Sequence, residues 1–196
     1  MIELEQLRNE YSSCEICALC PKKSGINGVV KSSGPVSSLA IIGEAPGSDE
    51  DEACKPFVGR SGKMLDKLLE GAKIKRQQVF ITNAVKCRPT QSNGKKNRTP
   101  TTEECESCRP WLYKELEVVK PKVVVTLGKI PTESILDLPK NFTLGDYVNK
   151  SHDTQIDADN YIVVPCWHPS YLMQHGRKKF SEAVDCFKLA KKLVLK

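Results

Sequence analysis

Short apolar runs alternate along the chain with segments whose apolar residues recur at helical spacing. Strands are predicted for four of these runs, at residues 39–43, 79–83, 123–128 and 161–165. Helices are predicted where apolar residues share one face, at residues 3–13, 62–72, 100–119, 131–136 and 179–195. Fully apolar strands between helices favour a mostly parallel sheet that is covered on both faces. The pattern therefore predicts an α/β fold with three α/β/α layers and four central strands.

The length suits one domain, which we expect to span residues 1–196 and to include a Cys-rich segment at residues 14–20. The sequence has no apolar run of membrane-spanning length, and its start lacks the pattern of a signal peptide. We therefore expect a soluble protein of the cytoplasm, and nothing suggests more than a monomer. The formal net charge of +6 is concentrated near residues 95–98 and 177–179. Such clusters suit nucleic-acid phosphates, although a solvated surface is an equally ordinary explanation.

Two predicted strands run into loops that carry chemically useful side chains. The first strand enters Gly43-Glu44-Ala45-Pro46-Gly47, and the last enters Cys166-Trp167-His168-Pro169-Ser170. Open α/β sheets bind ligands at the carboxyl ends of their strands. We therefore expect Glu44 and His168 to face one cleft.

Nine cysteines are too many to dismiss in an intracellular protein, where structural disulfides are rare. Cys14, Cys17 and Cys20 lie within one short segment, and Cys87 and Cys108 each precede Arg-Pro. Any four of these five thiols would form an all-cysteine site. Their spacing is compatible with zinc or an iron–sulfur cluster, with a redox-active C-x-x-C pair, or with unligated core thiols.

Several phrases in a fixed order carry a family resemblance. They are Gly43-Glu44-Ala45-Pro46-Gly47, Pro56-Phe57-Val58-Gly59-Arg60, Thr82-Asn83-Ala84-Val85-Lys86-Cys87-Arg88-Pro89, Asn97-Arg98-Thr99-Pro100 and His168-Pro169-Ser170-Tyr171-Leu172. Together they resemble the motifs of family 4 uracil-DNA glycosylases over nearly the whole chain. The resemblance implies a four-stranded parallel sheet between helices, a [4Fe–4S] cluster and hydrolytic removal of uracil from DNA.

The same resemblance implies a ligand set for the cluster. Cys14 and Cys17 match the first pair, and Cys87 and Cys108 match the two later ligands. Cys20 could replace Cys14. Zinc is the alternative metal.

The resemblance also assigns roles around an extruded uracil. Phe57 matches the stacking platform, and Asn83 matches the reader of the base edge, whose amide can accept from N3–H and donate to O4. His168 would donate to O2 as the base departs, and Glu44 would orient or deprotonate the attacking water. Backbone N–H groups from Ala45 to Gly47 would touch the base, and Glu50 would lie beside C5 of the ring.

The loop after His168 would contact DNA in single- or double-stranded form. Leu172 is the expected wedge that fills the gap left by the base, with Ser170 beside it. Basic side chains would contact phosphates, and they are Arg177, Lys178, Lys179, Lys95, Lys96 and Arg98. An alternative function is that of an iron–sulfur DNA-binding protein which holds uracil or single strands without cleavage, because Ala45 replaces an acidic or amide residue of related glycosylases.

Overall fold

The computed structural model describes residues 2–91, 94, 96–139 and 141–196, so the predicted phosphate contact Lys95 lies outside the described residues. The helices are α1 (Ile2–Ser12), α2 (Pro21–Ser24), α3 (Ser48–Ala53), α4 (Arg60–Gly71), α5 (Thr102–Val119), α6 (Lys129–Ile135) and α7 (Pro169–Val194). The strands are β1 (Leu39–Gly43), β2 (Phe80–Asn83), β3 (Val123–Leu127), β4 (His152–Ile156) and β5 (Asp159–Cys166).

The strands form one sheet in the order β2-β1-β3-β5-β4. Strands β1, β2, β3 and β5 pair in parallel, and β4 pairs with β5 in the antiparallel sense. One face packs on α4 and α7 and the other on α5. Strands β1 and β3 are buried along their whole length, which explains their unbroken apolar sequence. The predicted three-layer α/β class is confirmed.

The sheet contains five strands rather than the predicted four. The additional strand, β4, lies at the sheet edge, where only some of its residues are buried. Its sequence, His-Asp-Thr-Gln-Ile, is polar because an edge strand can expose much of its surface to water. An apolar run therefore could not reveal it.

The last helix begins ten residues earlier than predicted, at Pro169 rather than near Lys179. His168 caps its N-terminus, and a break at Gly176 separates a first segment from the long second one. The apolar spacing is regular only after the break, so the pattern identified only the second segment.

A buried ion pair joins α5 to the segment that follows β2. Lys86 Nζ lies 2.6 Å from Glu115 Oε2 and donates to Thr82 Oγ1 and the carbonyl of Asn83, each at 2.7 Å. Tyr11 in α1 donates to the other Glu115 oxygen at 2.8 Å. These bonds satisfy charges that would be costly to bury alone. They tie the N-terminal helix to the strand end that carries Asn83.

Candidate active site

A cavity of about 570 Å³ opens at the carboxyl ends of the parallel strands. Its lining includes the predicted site residues Glu44, Ala45, Gly47, Glu50, Phe57, Asn83, His168 and Ser170. They come from strand ends, from α3 and the loop that follows it, and from the start of α7. The sheet order β2-β1-β3-β5 places the strand ends side by side. The expected cleft between Glu44 and His168 is thus present, with a volume typical of a ligand site.

Gly43 allows two of these side chains to approach each other. A Cβ atom at this position would clash with Asn83 Oδ1 and with the ring of Phe57. The absence of a side chain at Gly43 therefore lets the amide and the aromatic ring lie against the same backbone atom. An aromatic face beside an amide edge suits a planar heterocycle.

Phe57 adopts a left-handed backbone conformation with φ of 54°. This conformation is strained for a bulky residue and tends to occur where function demands it. Arg76 holds it by donating to the carbonyls of Phe57 at 2.9 Å and Pro56 at 3.2 Å. The Phe57 carbonyl lies so close to Gly62 that a Cβ atom there would overlap it. The conformation of Phe57 thus depends on Arg76 and Gly62.

The amide of Asn83 is free to bind a ligand. Asn83 ends β2 and is only 4% exposed, and its side chain makes no hydrogen bond to the described part of the chain. Buried amides normally find partners, since an unmet donor or acceptor is costly. The Asn83 amide is not among the described side-chain atoms that are fully buried without a partner, so its polar atoms are open to the cavity, where a polar ligand can pair with them.

His168 is positioned as a neutral hydrogen-bond donor. Its Nδ1 accepts from the Ser170 backbone N–H at 3.2 Å and lies 2.7 Å from Ser170 Oγ. Burial lowers the pKa of His168 from 6.5 to about 4. Because Nδ1 accepts, the single proton of the neutral ring resides on Nε2. No hydrogen-bond partner for Nε2 occurs among the described residues.

The lowered pKa of His168 predicts how stability varies with pH. Between pH 4 and pH 6.5 the unfolded chain binds more protons at this residue than the folded chain does. The stability that neutral His168 supplies is therefore complete above about pH 6.5 and is lost as the pH falls toward 4. We expect the His168→Gln variant to lose less unfolding free energy than the parent between these values. Urea unfolding at pH 7, 5.5 and 4.5 tests this, and equal pH slopes for both proteins would contradict it.

Glu44 follows β1 and is half-buried on the cavity wall. Burial raises the pKa of its carboxyl group, and no hydrogen bond to that group is present within the described ranges. A raised pKa makes the carboxylate a better base toward water. Its neighbour Ala45 also lines the cavity and packs against the hydrophobic cluster that contains Cys87, Cys105 and Cys108.

Glu50 clamps the loops of the cavity together. Its carboxylate accepts from the backbone N–H of Gly47 at 3.1 Å, of Val58 at 3.0 Å and of Gly59 at 2.8 Å. These bonds join the loop after β1 to the loop that carries Phe57. The Gly47 N–H is occupied by Glu50, so that amide is not free for a base.

The predicted wedge, Leu172, is not presented to solvent in this structure, and its contact with DNA stays a prediction. Leu172 is only 3% exposed and packs in the core between the sheet and α7. The sequence pattern placed Leu172 in a loop, because it did not reveal that α7 begins at Pro169. Met173, the next residue, is 43% exposed and is the apolar side chain that this turn presents to solvent.

The basic residues differ in what they can offer to DNA. Arg177, Lys178 and Lys96 are exposed. Arg98 instead forms a two-pronged ion pair with Glu104, at 2.7 and 2.6 Å, and donates to the Thr90 carbonyl. Arg98 therefore organises its loop rather than presenting a free charge.

Sequence reasoning gave no role to several residues of the cavity wall, among them Trp167 and Asn97. Asn97 accepts from Arg88 Nε at 2.7 Å. Trp167 directly precedes His168, and Asn97 begins the family motif Asn97-Arg98-Thr99-Pro100. Their nearness to these motifs was the one sequence feature that could have indicated a place in the cavity wall.

The five candidate ligand cysteines gather around one small apolar pocket. Cys14, Cys17, Cys20, Cys87 and Cys108 line it together with Tyr11 and Trp111. Trp111 Nε1 donates to Cys14 Sγ at 3.3 Å, and the Lys86 backbone N–H donates to Cys108 Sγ at 3.2 Å. Within residues 2–91, 94, 96–139 and 141–196, no group of three His, Cys, Asp or Glu is arranged to hold a single metal ion.

The donor set around this pocket fits an iron–sulfur cluster. It offers thiols alone, and N–H groups directed at sulfur stabilise thiolate ligands. Burial and the neighbouring thiols raise the pKa of Cys87, so its thiolate needs a positive partner. Cys20 lines the same pocket, which leaves the choice between Cys14 and Cys20 open.

A parallel α/β sheet with a ligand cavity at its strand ends defines the class, and comparison with known proteins identifies the family. The sequence profile of the Uracil DNA glycosylase superfamily matches residues 31–189. The chain is 36% identical over 173 residues to the type-4 uracil-DNA glycosylase of Sulfurisphaera tokodaii, covering 87% of this chain and 76% of the relative. It is 35% identical over 170 residues to that of Thermotoga maritima, covering 86% and 83%. The chain therefore belongs to the type-4 uracil-DNA glycosylase family.

A weaker similarity extends to a second type. A type-5 uracil-DNA glycosylase of Pyrobaculum aerophilum is 38% identical over 94 residues, which is 48% of this chain and 37% of the relative. In the part of the chain that the structure describes, no helix is both long and apolar enough to cross a membrane.

Proposed function

We propose that this protein is a DNA-repair glycosylase, which hydrolyses the N-glycosidic bond of uracil in DNA and leaves an abasic site. The observation that carries the proposal is that Glu44, Phe57, Asn83 and His168 line one cavity in a chain of this family. Its substrate is uracil-containing DNA, single- or double-stranded.

The cavity is suited to an extruded base. Uracil inside a duplex is out of reach, so the nucleotide must rotate out of the stack before reaction. The ring of Phe57 provides a face for stacking, and the unpaired amide of Asn83 reads the edge. Its oxygen accepts from N3–H and its nitrogen donates to O4, whereas cytosine presents the opposite pattern.

His168 acts on the leaving group. Cleavage builds negative charge on the departing base, chiefly on its carbonyl oxygens. The Nε2–H of neutral His168 donates to O2 and stabilises that charge, and Ser170 holds the ring in the required tautomer. A donor fixed before reaction costs no reorganisation in the transition state.

Glu44 acts on the opposite partner, the sugar. Positive charge develops on the deoxyribose as the bond breaks, and a half-buried carboxylate favours that charge electrostatically. The same carboxylate can orient water and accept its proton. The acidic and imidazole walls of one cavity thus match the two charges of the transition state.

We further propose that Cys14, Cys17, Cys87 and Cys108 hold a [4Fe–4S] cluster. Because these four thiols come from the N-terminal segment, the loop after β2 and α5, a cluster held by them would tie the three segments together. Lys86 connects this region to the cavity, since its backbone faces Cys108 while its ammonium group donates to the Asn83 carbonyl.

Replacing Cys87 with serine is expected to remove visible absorbance and iron from the purified protein, because a buried hydroxyl is a poor cluster ligand. The variant should also unfold at a lower denaturant concentration than the parent. Cys54→Ser is the control, since Cys54 is exposed and is not among the residues that line the pocket. Anaerobic purification with iron, sulfide and zinc analysis makes the measurement. If the parent protein is colourless and contains stoichiometric zinc, the site holds zinc and the cluster proposal is wrong.

The proposed activity is tested with a labelled oligonucleotide that carries one uracil. Alkali-sensitive abasic product, absent with a thymine or cytosine oligonucleotide, is the expected result. Retention of the uracil oligonucleotide without product would instead support the DNA-binding alternative. The assay uses the anaerobically purified full chain.

A further inference from the structure

Three aromatic rings form a stack that leads out of the cavity along the first segment of α7. Trp167 and Tyr171 line the cavity, and their rings stack with centroids 5.0 Å apart at an interplanar angle of 20°. The ring of His175 also stacks with that of Tyr171, with centroids 3.6 Å apart and an angle of 13°. His175 itself is exposed. The stack therefore joins the cavity to the protein surface.

The inner end of this stack is held firmly. Trp167 Nε1 donates to Glu182 Oε2 at 3.0 Å, and Lys179 Nζ lies 4.5 Å from the centre of the Trp167 ring. Lys179 also pairs with Glu182 at 2.7 Å. Trp167 is thus fixed by contacts with a ring, a cation and a carboxylate. Because the inner end of the stack is already fixed, a further ring that stacks on the outer end costs less conformational entropy.

The outer end is oriented but uncovered. His175 Nδ1 lies 2.8 Å from the Tyr171 carbonyl, and because a carbonyl only accepts, Nδ1 donates. This bond holds the imidazole parallel to Tyr171. No ring other than Tyr171 stacks on His175 in the portion of the chain that the structure describes. An exposed, oriented π-face at the end of a stack suits an unpaired nucleobase.

The backbone turns sharply just after His175. Gly176 has φ of 73° and ψ of −171°, a conformation open essentially to glycine alone. A Cβ atom there would meet nothing within 4 Å, so packing does not explain the glycine. The turn ends the first helical segment and is followed at once by exposed Arg177 and Lys178. Cations next to an aromatic face match the phosphates and bases of one DNA strand.

We propose that the Trp167–Tyr171–His175 stack binds the unpaired nucleobase next to uracil in the same DNA strand. The base stacks on the outer face of His175, and Arg177 and Lys178 contact the adjoining phosphates. The inference rests on the proposed glycosylase function and names its substrate more closely, as uracil flanked by unpaired nucleotides. A duplex gains less from this contact, because its flanking base stays paired and stacked within the helix.

Fluorescence of 2-aminopurine tests the stack directly. The probe is placed on the 5′ or the 3′ side of a 2′-fluoro-2′-deoxyuridine in single-stranded DNA, which is designed to resist cleavage. Stacking on His175 should quench the probe on one side only. His175→Ala should abolish the quenching and His175→Phe should keep it, because a phenyl ring stacks without charge. Gln174→Ala is the matched control, since Gln174 is the exposed neighbour without a ring.

Kinetics provide the second readout. Base–aromatic stacking predicts that His175→Ala raises KM for single-stranded substrate about 5- to 100-fold, while kcat changes far less. The rise should be smaller for duplex substrate. Absence of quenching on both sides, or equal KM for His175→Ala and Gln174→Ala, would overturn the proposal. Failure of this proposal can be distinguished from failure of the proposed glycosylase function. A parent protein that releases no uracil would contradict the glycosylase function, whereas 2-aminopurine quenching could still be measured.

Discussion

The His168→Ala variant is expected to release uracil about 10²- to 10³-fold more slowly than the parent, the usual effect of losing one preorganised donor to a developing oxyanion. Its affinity for uracil-containing DNA should change little. The donor matters most when O2 carries negative charge, and in the bound substrate that oxygen is a neutral carbonyl. Single-turnover rates and binding to an oligonucleotide with 2′-fluoro-2′-deoxyuridine separate the two quantities.

Two further variants sharpen this test. His152→Ala is the matched control, because His152 lies in β4 and its Nε2 is 3.3 Å from the Tyr147 carbonyl, outside the cavity. His168→Gln should recover part of the rate, since its amide nitrogen can approach the position of Nε2. Protonation of His168 should not lower the cleavage rate of the parent near neutral pH, because the pKa of His168 is about 4. Equal losses in rate and binding for His168→Ala would remove this residue from the transition state.

The parallel sheet and the meeting of its strand ends could be predicted because both follow from local signals. Unbroken apolar runs identify buried strands, and loops that follow such strands share one edge. Glu44 and His168 were therefore expected to face one cleft, and both line one cavity together with Asn83, which the family resemblance placed at the site. The family motifs added Phe57, which no apolar pattern would distinguish from a core phenylalanine.

Other features depend on contacts that are distant in sequence. Glu50 reads as one carboxylate in an acidic run, yet it accepts from Val58 and Gly59 eight and nine residues later. Leu172 reads as a loop residue, yet helix α7 turns it into the core. In each case the deciding partner belongs to another element, so spacing along the chain carries no information about it.

The left-handed residues illustrate the same limit on a smaller scale. Cys54 has a φ of 50°, a left-handed conformation that glycine adopts without strain. Phe57 has a similar φ of 54° but cannot be glycine, because its ring faces the cavity. Sequence alone shows that both loops are irregular. It does not show which residue adopts a strained backbone conformation that directs its side chain into the cavity.

Replacing Asn83 with aspartate is expected to lower kcat/KM for uracil by about 10²-fold, because a carboxylate facing O4 costs on the order of 3 kcal/mol in lost and repulsive contacts. Activity on cytosine relative to uracil should rise, since the N4 amino group of cytosine donates to a carboxylate. Asn97→Asp is the matched control: it makes the same change on the same cavity wall, where Arg88 can pair with the new charge. Competition between uracil- and cytosine-containing oligonucleotides measures the ratio. If both variants show the same modest loss and unchanged preference, the amide of Asn83 does not read the base edge.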